Sequence, residues 1–158
     1  MNEDVFLTFL SEQDLPDLFQ IQKNYHSANM RQSKGIATSL IDVKEWLRCK
    51  MIIQSPKNFV MGVRTVTTRE IVGYVTLTSI ERDSFSAEIG IVMNEVTGRG
   101  KASQALEKLE RLAFDSFGYK TLIANILTIN IRALSFFDKH SYNKVLVDES
   151  HVILEKNL

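Results

Sequence analysis

Apolar residues fall into short alternating or continuous blocks along this chain, broken by stretches of helical spacing, and the blocks set out the elements. Residues 5–10 (VFLTFL) read as a first strand. Asp14 and Asp17 bracket a helix start, with Pro16 in the first turn, where its missing N–H is tolerated. Leu15, Leu18, Phe19 and Gln22 carry helical spacing to about Asn24. Residues 25–38 are polar and without a clear period. Ser39 and Asp42 form a capping-box pattern before a second helix with Val43, Trp46, Leu47 and Met51, ended by Ser55-Pro56. Residues 59–65 and 71–80 are β-rich runs joined by a Thr-Thr-Arg-Glu turn, which predicts a hairpin. Gly73, inside the second run, marks a bulge or a close backbone approach. Residues 87–93 are the next strand.

From residue 100 to 117 the period is helical: Ala102, Ala105, Leu106, Leu109, Leu112, Ala113 and Phe117 share a face, and Gly118 is a C-terminal stop. Residues 121–127 form a β-rich buried run. Asn130 can cap a helix running to about His140. Two short strands follow, near residues 142–147 and 151–155. No internal repeat, low-complexity linker or second domain is visible, so residues 1–158 are expected to form a single domain.

Composition narrows the function classes. Hydrophobic residues make up 44% of the chain, enough for a substantial core. Nineteen basic and nineteen acidic side chains cancel, so no basic field points to a nucleic-acid partner. The N-terminal segment is acidic and lacks the basic start of a signal peptide. No apolar run reaches membrane-spanning length. The lone Cys49 cannot form an internal disulfide, and the expected setting is reducing and cytoplasmic. Cys49 sits near Trp46 in a helical pattern and reads as packed. His26, His140 and His151 are scattered, with no HExxH or CxxC spacing, so no metal is expected.

The chemistry concentrates between residues 87 and 142. There a strand (AEIGIVM) runs into a Gly-rich turn (NEVTGRGKAS) and an amphipathic helix. Such a turn presents backbone N–H groups to a phosphate, and here it also carries Arg99 and Lys101. Alternatively it is a plain tight connection with solvent-facing charges.

Order and spacing favour the phosphate reading, because the segment resembles the acyl-CoA-binding half of the GNAT superfamily of N-acyltransferases. Their pyrophosphate loop runs Gln/Arg-x-x-Gly-x-Gly/Ala, and the matching residues here are Thr97, Gly98, Arg99, Gly100, Lys101 and Ala102. The second signature begins with Asn, has a small residue three later and ends aromatic-x-Lys-x-Gly-Phe. Here it is Asn130, Ala133, Phe137, Lys139, Ser141 and Tyr142. Thr97 departs from the family's Gln or Arg, Phe137 from a Tyr that many members use to protonate the leaving thiolate, and Ser141-Tyr142 from Gly-Phe. The pattern looks closest to branches that acetylate protein N-termini or amino sugars.

With the element count, the resemblance implies an α/β (α+β) fold: a mixed, mostly antiparallel sheet of about seven strands flanked by about four helices. It implies acetyl-CoA as co-substrate. Gly98, Arg99, Gly100, Lys101, Ala102 and Ser103 would hold the pyrophosphate. In the family the strand at 88–93 splays from its neighbour near 121–127, so backbone groups of Ile91, Val92 and Met93 would meet the cofactor amides. Asn130 either caps its helix alone or also bonds the cofactor. Phe137 would pack beside the thioester end. Lys139 is an exposed cation or a phosphate contact. Residues 25–38 are the acceptor wall or a surface loop. A homodimer is compatible with all of this.

Transfer to an amine sets a proton problem. A lysine-like amine has a reference pKa of about 10.4, so holding it neutral at pH 7 costs roughly 4 to 5 kcal/mol. An α-amine, near 8, costs about 1 kcal/mol, and releasing a thiolate of pKa near 8.5 costs about 2 kcal/mol. A general base therefore matters more than a general acid. Glu88, at the start of the central strand in Ala-Glu-Ile, is where relatives often place such a base; otherwise it is a solvent-facing or ion-paired strand residue. Phe137 cannot donate a proton, which leaves Ser135, Ser141, Tyr142, Tyr25, water or unassisted departure. No Cys or Ser sits in a nucleophile constellation, so direct transfer to an amino sugar, a peptide N-terminus or another small amine is expected. The rival is a non-catalytic acyl-CoA-binding sensor or scaffold, which Phe137 and Thr97 favour.

Overall fold

A computed structural model describes residues 4–29, 45, 58–94 and 100–158, with backbone alone over 25–29. Its strands are β1 (Val5–Thr8), β2 (Asn58–Thr65), β3 (Ile71–Ile80), β4 (Asp83–Met93), β5 (Thr121–Leu127), β6 (Asn143–Val147) and β7 (His151–Asn157). Its helices are α1 (Leu15–Asn29), α2 (Lys101–Phe117) and α3 (Ile131–Lys139), with a short 3-10 turn at Glu12–Asp14. The helix expected after Ser39 lies outside the described residues apart from Glu45, which is helical and exposed.

All seven strands join one sheet in the order β1-β2-β3-β4-β5-β7-β6. Every pairing is antiparallel except β4 with β5. The fold is the expected α+β arrangement. The parallel pair arises because α2 lies between β4 and β5 in the chain and returns it to the same end of the sheet.

Alternation divides each strand between two cores. Ala87 and Ile89 on β4 and Leu122 and Ala124 on β5 pack with Ala105, Leu106, Leu109 and Ala113 of α2 and Phe137 of α3. On the other face Tyr74 and Val92 meet Leu18 and Ile21 of α1. The helix caps follow the local sequence. Gly118 adopts φ 71 at the end of α2, and its N–H closes on Phe114 O, a left-handed cap open to glycine. Asn130 Oδ1 accepts from Ala133 N at 3.2 Å at the start of α3.

Ahead of α1, Asp14 Oδ2 accepts from Ser11 N at 2.9 Å, and Asp14 Oδ1 lies 2.6 Å from Arg64 of β2. That nearly buried ion pair ties the helix start to the sheet. Gly73 fulfils both of its expected roles. The β2–β3 register shifts between Val63 and Arg64 opposite it, and a Cβ there would lie 2.5 Å from both Val92 O and Met93 Sδ.

Candidate functional site

β4 and β5 pair over three positions, Ser86↔Thr121, Ala87↔Leu122 and Glu88↔Ile123, although β4 runs on to Met93 and β5 to Leu127. Beyond Glu88 the two strands part. Among the described residues no strand fills the gap between them. The hydrogen bonding of β4 tells which groups face it. Asn94 N donates to Val72 O at 2.7 Å, so Asn94 points at β3. Backbone direction alternates along a strand. Val92 and Gly90 therefore also address β3, whereas Ile91 and Met93 aim their N–H and C=O groups into the gap. Of the three residues expected to offer backbone to a cofactor, Ile91 and Met93 face the gap. Val92 is committed to the β3 ladder, with its side chain in the core against α1.

Because β4 and β5 are parallel, their C-terminal ends lie together at the wide mouth of this fork. Each feeds a helix, α2 after β4 and α3 after β5. Two helix N-termini thus stand at the mouth, and the first-turn N–H groups of a helix have no acceptor within it. Gly100 precedes α2 with φ 82, a left-handed conformation that side chains resist, and its carbonyl accepts from Gln104 N at 3.0 Å. Lys101, Ala102 and Ser103 form the first turn and are half-buried. Gly98, Arg99 and Thr97 lie outside the described residues. The fork, the glycine and the first turn bring together backbone donors suited to an anionic ligand with an amide-bearing arm.

Glu88 stands at the crotch of the fork, on the last paired position of β4. It is exposed, and among the described residues it forms no ion pair. Its side chain shares the α1 face with Thr78, its partner on β3, and with Ile123. Ile123 in turn pairs with Glu155 of β7. Glu88, Ile123 and Glu155 are therefore consecutive rungs across the sheet, with the two carboxylate-bearing positions roughly 10 Å apart at about 4.8 Å per strand. Sequence reading had Glu155 only as the end of a strand, since the pairing that aligns it with Glu88 joins distant segments.

The second signature is split between packing and surface. Asn130 is buried and caps α3, and Phe137 is 4% exposed. The Phe137 ring meets those of Tyr142 and Phe136 edge-on at 5.0 and 5.3 Å. Lys139 is exposed in the last turn of α3. Of the hydroxyls considered in place of an acid, Ser135 and Ser141 are exposed, while the Tyr25 side chain lies outside the described residues. Tyr142 is occupied: its hydroxyl donates to Glu110 Oε2 at 3.0 Å, and Lys156 Nζ sits 2.9 Å from the same oxygen. Burial, and then the adjacent Glu110 charge, push the Tyr142 phenol well above its ordinary range.

One contact escaped sequence reading altogether. Ser103 Oγ and His140 Nε2 are 2.9 Å apart, joining the first turn of α2 to the C-terminal cap of α3. His140 is one residue past the motif lysine, a position with no sequence signal of its own. Among the described residues no group of three or more His, Cys, Asp or Glu could hold a metal ion, and no helix is long and apolar enough to cross a membrane.

The profile of the family described as Acetyltransferase (GNAT) domain matches residues 4–141. No curated protein matches the chain significantly. Among solved structures, a GNAT-family acetyltransferase from Bacillus anthracis superposes with a TM-score of 0.83 at 14% identity, covering 99% of this chain and 96% of that one. The Campylobacter jejuni N-acetyltransferase PseH, in complex with acetyl coenzyme A, gives 0.72 at 20% identity, covering 97% and 98%. Spermidine N-acetyltransferase from Vibrio cholerae, in complex with CoA and spermine, gives 0.80 at 17% identity, covering 97% and 95%. At these identities the likeness is one of fold.

Proposed function

The chain belongs to the GNAT acetyltransferase family, and from that premise we propose that it moves an acetyl group from acetyl-CoA directly onto a primary amine. The observation that carries this reading is the β4–β5 fork, open beyond Glu88, with the N-terminus of α2 at its mouth. Neighbours of the same fold have been captured with acetyl coenzyme A, or with CoA and spermine, which supports the choice of co-substrate and of an amine acceptor. The residues present fit acetyl-CoA. Gly100 to Ser103, with Gly98 and Arg99 before them, offer backbone donors and charge to the pyrophosphate, and Ile91 and Met93 offer strand-like hydrogen bonds to the pantetheine amides. When bound, acetyl-CoA supplies the thioester carbonyl that the amine attacks, with the C–N bond forming as the C–S bond breaks.

Glu88 takes the ammonium proton, directly or through one water, from its place at the crotch of the fork. Phe137 packs beside the thioester end and moves no proton. The thiolate then leaves and collects its proton from solvent, a step costing only about 2 kcal/mol at pH 7. The acceptor is an amino sugar, a peptide N-terminus or another small amine. We place the reaction in the cytoplasm, in keeping with the single Cys49.

The test is thiol release from acetyl-CoA across a panel of polyamines, N-terminal peptides and nucleotide-linked amino sugars. Release that depends on one acceptor class supports the proposal. Tight acetyl-CoA binding without release on any amine would favour the second reading, an acyl-CoA sensor, to which the missing hydroxyl at Phe137 lends support.

A further inference from the structure

Gly90 lies inside β4 and pairs with Thr76 of β3. Glycine weakens the interior of a strand. Its backbone here does not call for one, since among the described residues only Gly100 and Gly118 are glycines with positive φ. The reason for it is space. A Cβ built on Gly90 would lie 2.5 Å from Thr76 Oγ1 and 3.8 Å from Thr76 Cβ. No other atom of the described residues, chain neighbours aside, comes within 4 Å of that point. The hydroxyl of Thr76, not its methyl group, therefore leans over Gly90. Thr76 is half-buried, yet this hydroxyl has no hydrogen-bond partner among the described residues. Thr76 lies on the α1 face, beside Val60 and on the same side as Thr78 and Glu88. Gly90 is two residues, about 7 Å, further along that face than Glu88. It is the first position on that face of β4 beyond the last rung with β5. Thr78, opposite Glu88, borders the paired part of the sheet, whereas Thr76 looks across Gly90 to the open fork. With no side chain at position 90, nothing on β4 walls the hydroxyl off.

We propose that Thr76 holds the acceptor amine, its Oγ1 accepting one N–H of the nitrogen whose proton Glu88 removes. This rests on the acetyl-transfer reading and deepens it. The ammonium group of a primary amine brings three N–H bonds. One proton goes to Glu88. A second is lost as the C–N bond forms and the C–S bond breaks, and it reaches the thiolate through solvent. The third stays in the product as the amide N–H. That is the one bond Thr76 can hold from the bound ammonium to the finished amide, and holding it fixes the direction of the attacking lone pair. A secondary amine starts with two N–H bonds and ends as a tertiary amide with none, so Thr76 loses its partner during transfer. Thr76 thus selects primary over secondary amines, and Gly90 keeps its hydroxyl within reach of them.

Thr76→Val keeps the shape and removes the hydroxyl, and Thr76→Ser keeps the hydroxyl. Thiol release is measured for both and for wild type on the best primary amine of the panel and on its N-methyl analogue, beside calorimetric titration with acetyl-CoA. A hydrogen bond to a charged group is worth roughly ten- to a hundredfold, so kcat/KM for the primary amine should fall by that factor in Thr76→Val. It should recover in Thr76→Ser, with acetyl-CoA affinity unchanged throughout. The N-methyl analogue should lose far less, so the preference for the primary amine shrinks. Gly90→Ala should lower the rate as Thr76→Val does, by displacing the hydroxyl, and should add little in a Thr76→Ala background. Thr76→Val as active as wild type, no recovery in Thr76→Ser, or equal losses on both amines would overturn the role of Thr76 and leave acetyl transfer standing. A wild type that binds acetyl-CoA but releases thiol with no amine would overturn both. The Val and Ser variants decide the matter even if Gly90→Ala fails to fold.

Discussion

Ser103 Oγ and His140 Nε2 lie 2.9 Å apart, so a side-chain contact joins the first turn of α2 to the end of α3. The same turn follows Gly100 and is assigned to the pyrophosphate. A single hydrogen bond contributes about 0.5–1.5 kcal/mol, or roughly two- to tenfold in an equilibrium. His140→Ala should weaken acetyl-CoA binding by that factor, read by calorimetric titration, and His140→Gln should recover part of the loss. Unchanged affinity in the Ala variant would leave the contact a matter of packing.

Gly100 supports this turn through its backbone, with φ 82. Gly100→Glu adds strain from the left-handed backbone, bulk and a negative charge where an anion is expected. Acetyl-CoA binding should be abolished while the far-ultraviolet circular dichroism is retained. Equal affinity in mutant and wild type would remove the cofactor assignment at this turn.

Glu88→Gln keeps size and hydrogen-bonding capacity but removes basicity. Turnover should fall by about 10²–10⁴, the usual range for a lost general base, with acetyl-CoA affinity nearly unchanged. The deficit should shrink at high pH and be larger for a lysine-like acceptor than for an α-amine, because more of the α-amine is already neutral. Wild-type turnover at pH 7 on the true acceptor would move the role to an ordered water chain.

The Tyr142 phenol is raised in the folded chain, first by burial and then by Glu110. The native state holds this proton more tightly than the unfolded one. Its contribution is therefore complete below the unfolded value of about 10 and is lost as pH rises beyond it. Tyr142→Phe should cost about 1.5–3 kcal/mol at neutral pH through the lost bond to a carboxylate. Stability of the variant should also fall less steeply between pH 9 and 11, both read by urea unfolding. Equal slopes would separate the phenol from alkaline unfolding.

Much of the fold was legible because its strands alternate cleanly. The ranges 71–80 and 121–127 coincide with β3 and β5, and Gly118 and Asn130 cap as expected. Two of the misses, at β4 and β7, share a cause: polar residues that are ordered by partners rather than by burial. β4 starts at Asp83, not Ala87, since a two-residue turn returns the chain at Glu81 and Arg82 and pairs Asp83 with Ile80 while still exposed. β7 runs past Glu155 because Leu122 pairs with Lys156, whose ammonium reaches Glu110. α1 continues beyond Asn24 through residues without an apolar period. For the site, the motifs pointed to the turn before α2, of which only Gly100 onward is described, and to the start of α3. Which backbone groups of β4 are turned toward the gap depends on register, and so does the alignment of Glu88 with Glu155; no periodicity reports either.

The three rungs between β4 and β5 are also the only ladder joining β1–β4 to β5–β7 among the described residues. The sheet is in effect two plates sharing a short seam, and whatever lies in the fork would act as a splint between them. A ligand there would add rungs as well as occupy space, so its binding should be felt as stiffness. Slowed amide exchange at Ile91 and Met93, beside unchanged exchange at Val92, would be the signature of a missing strand restored by a molecule that is not protein.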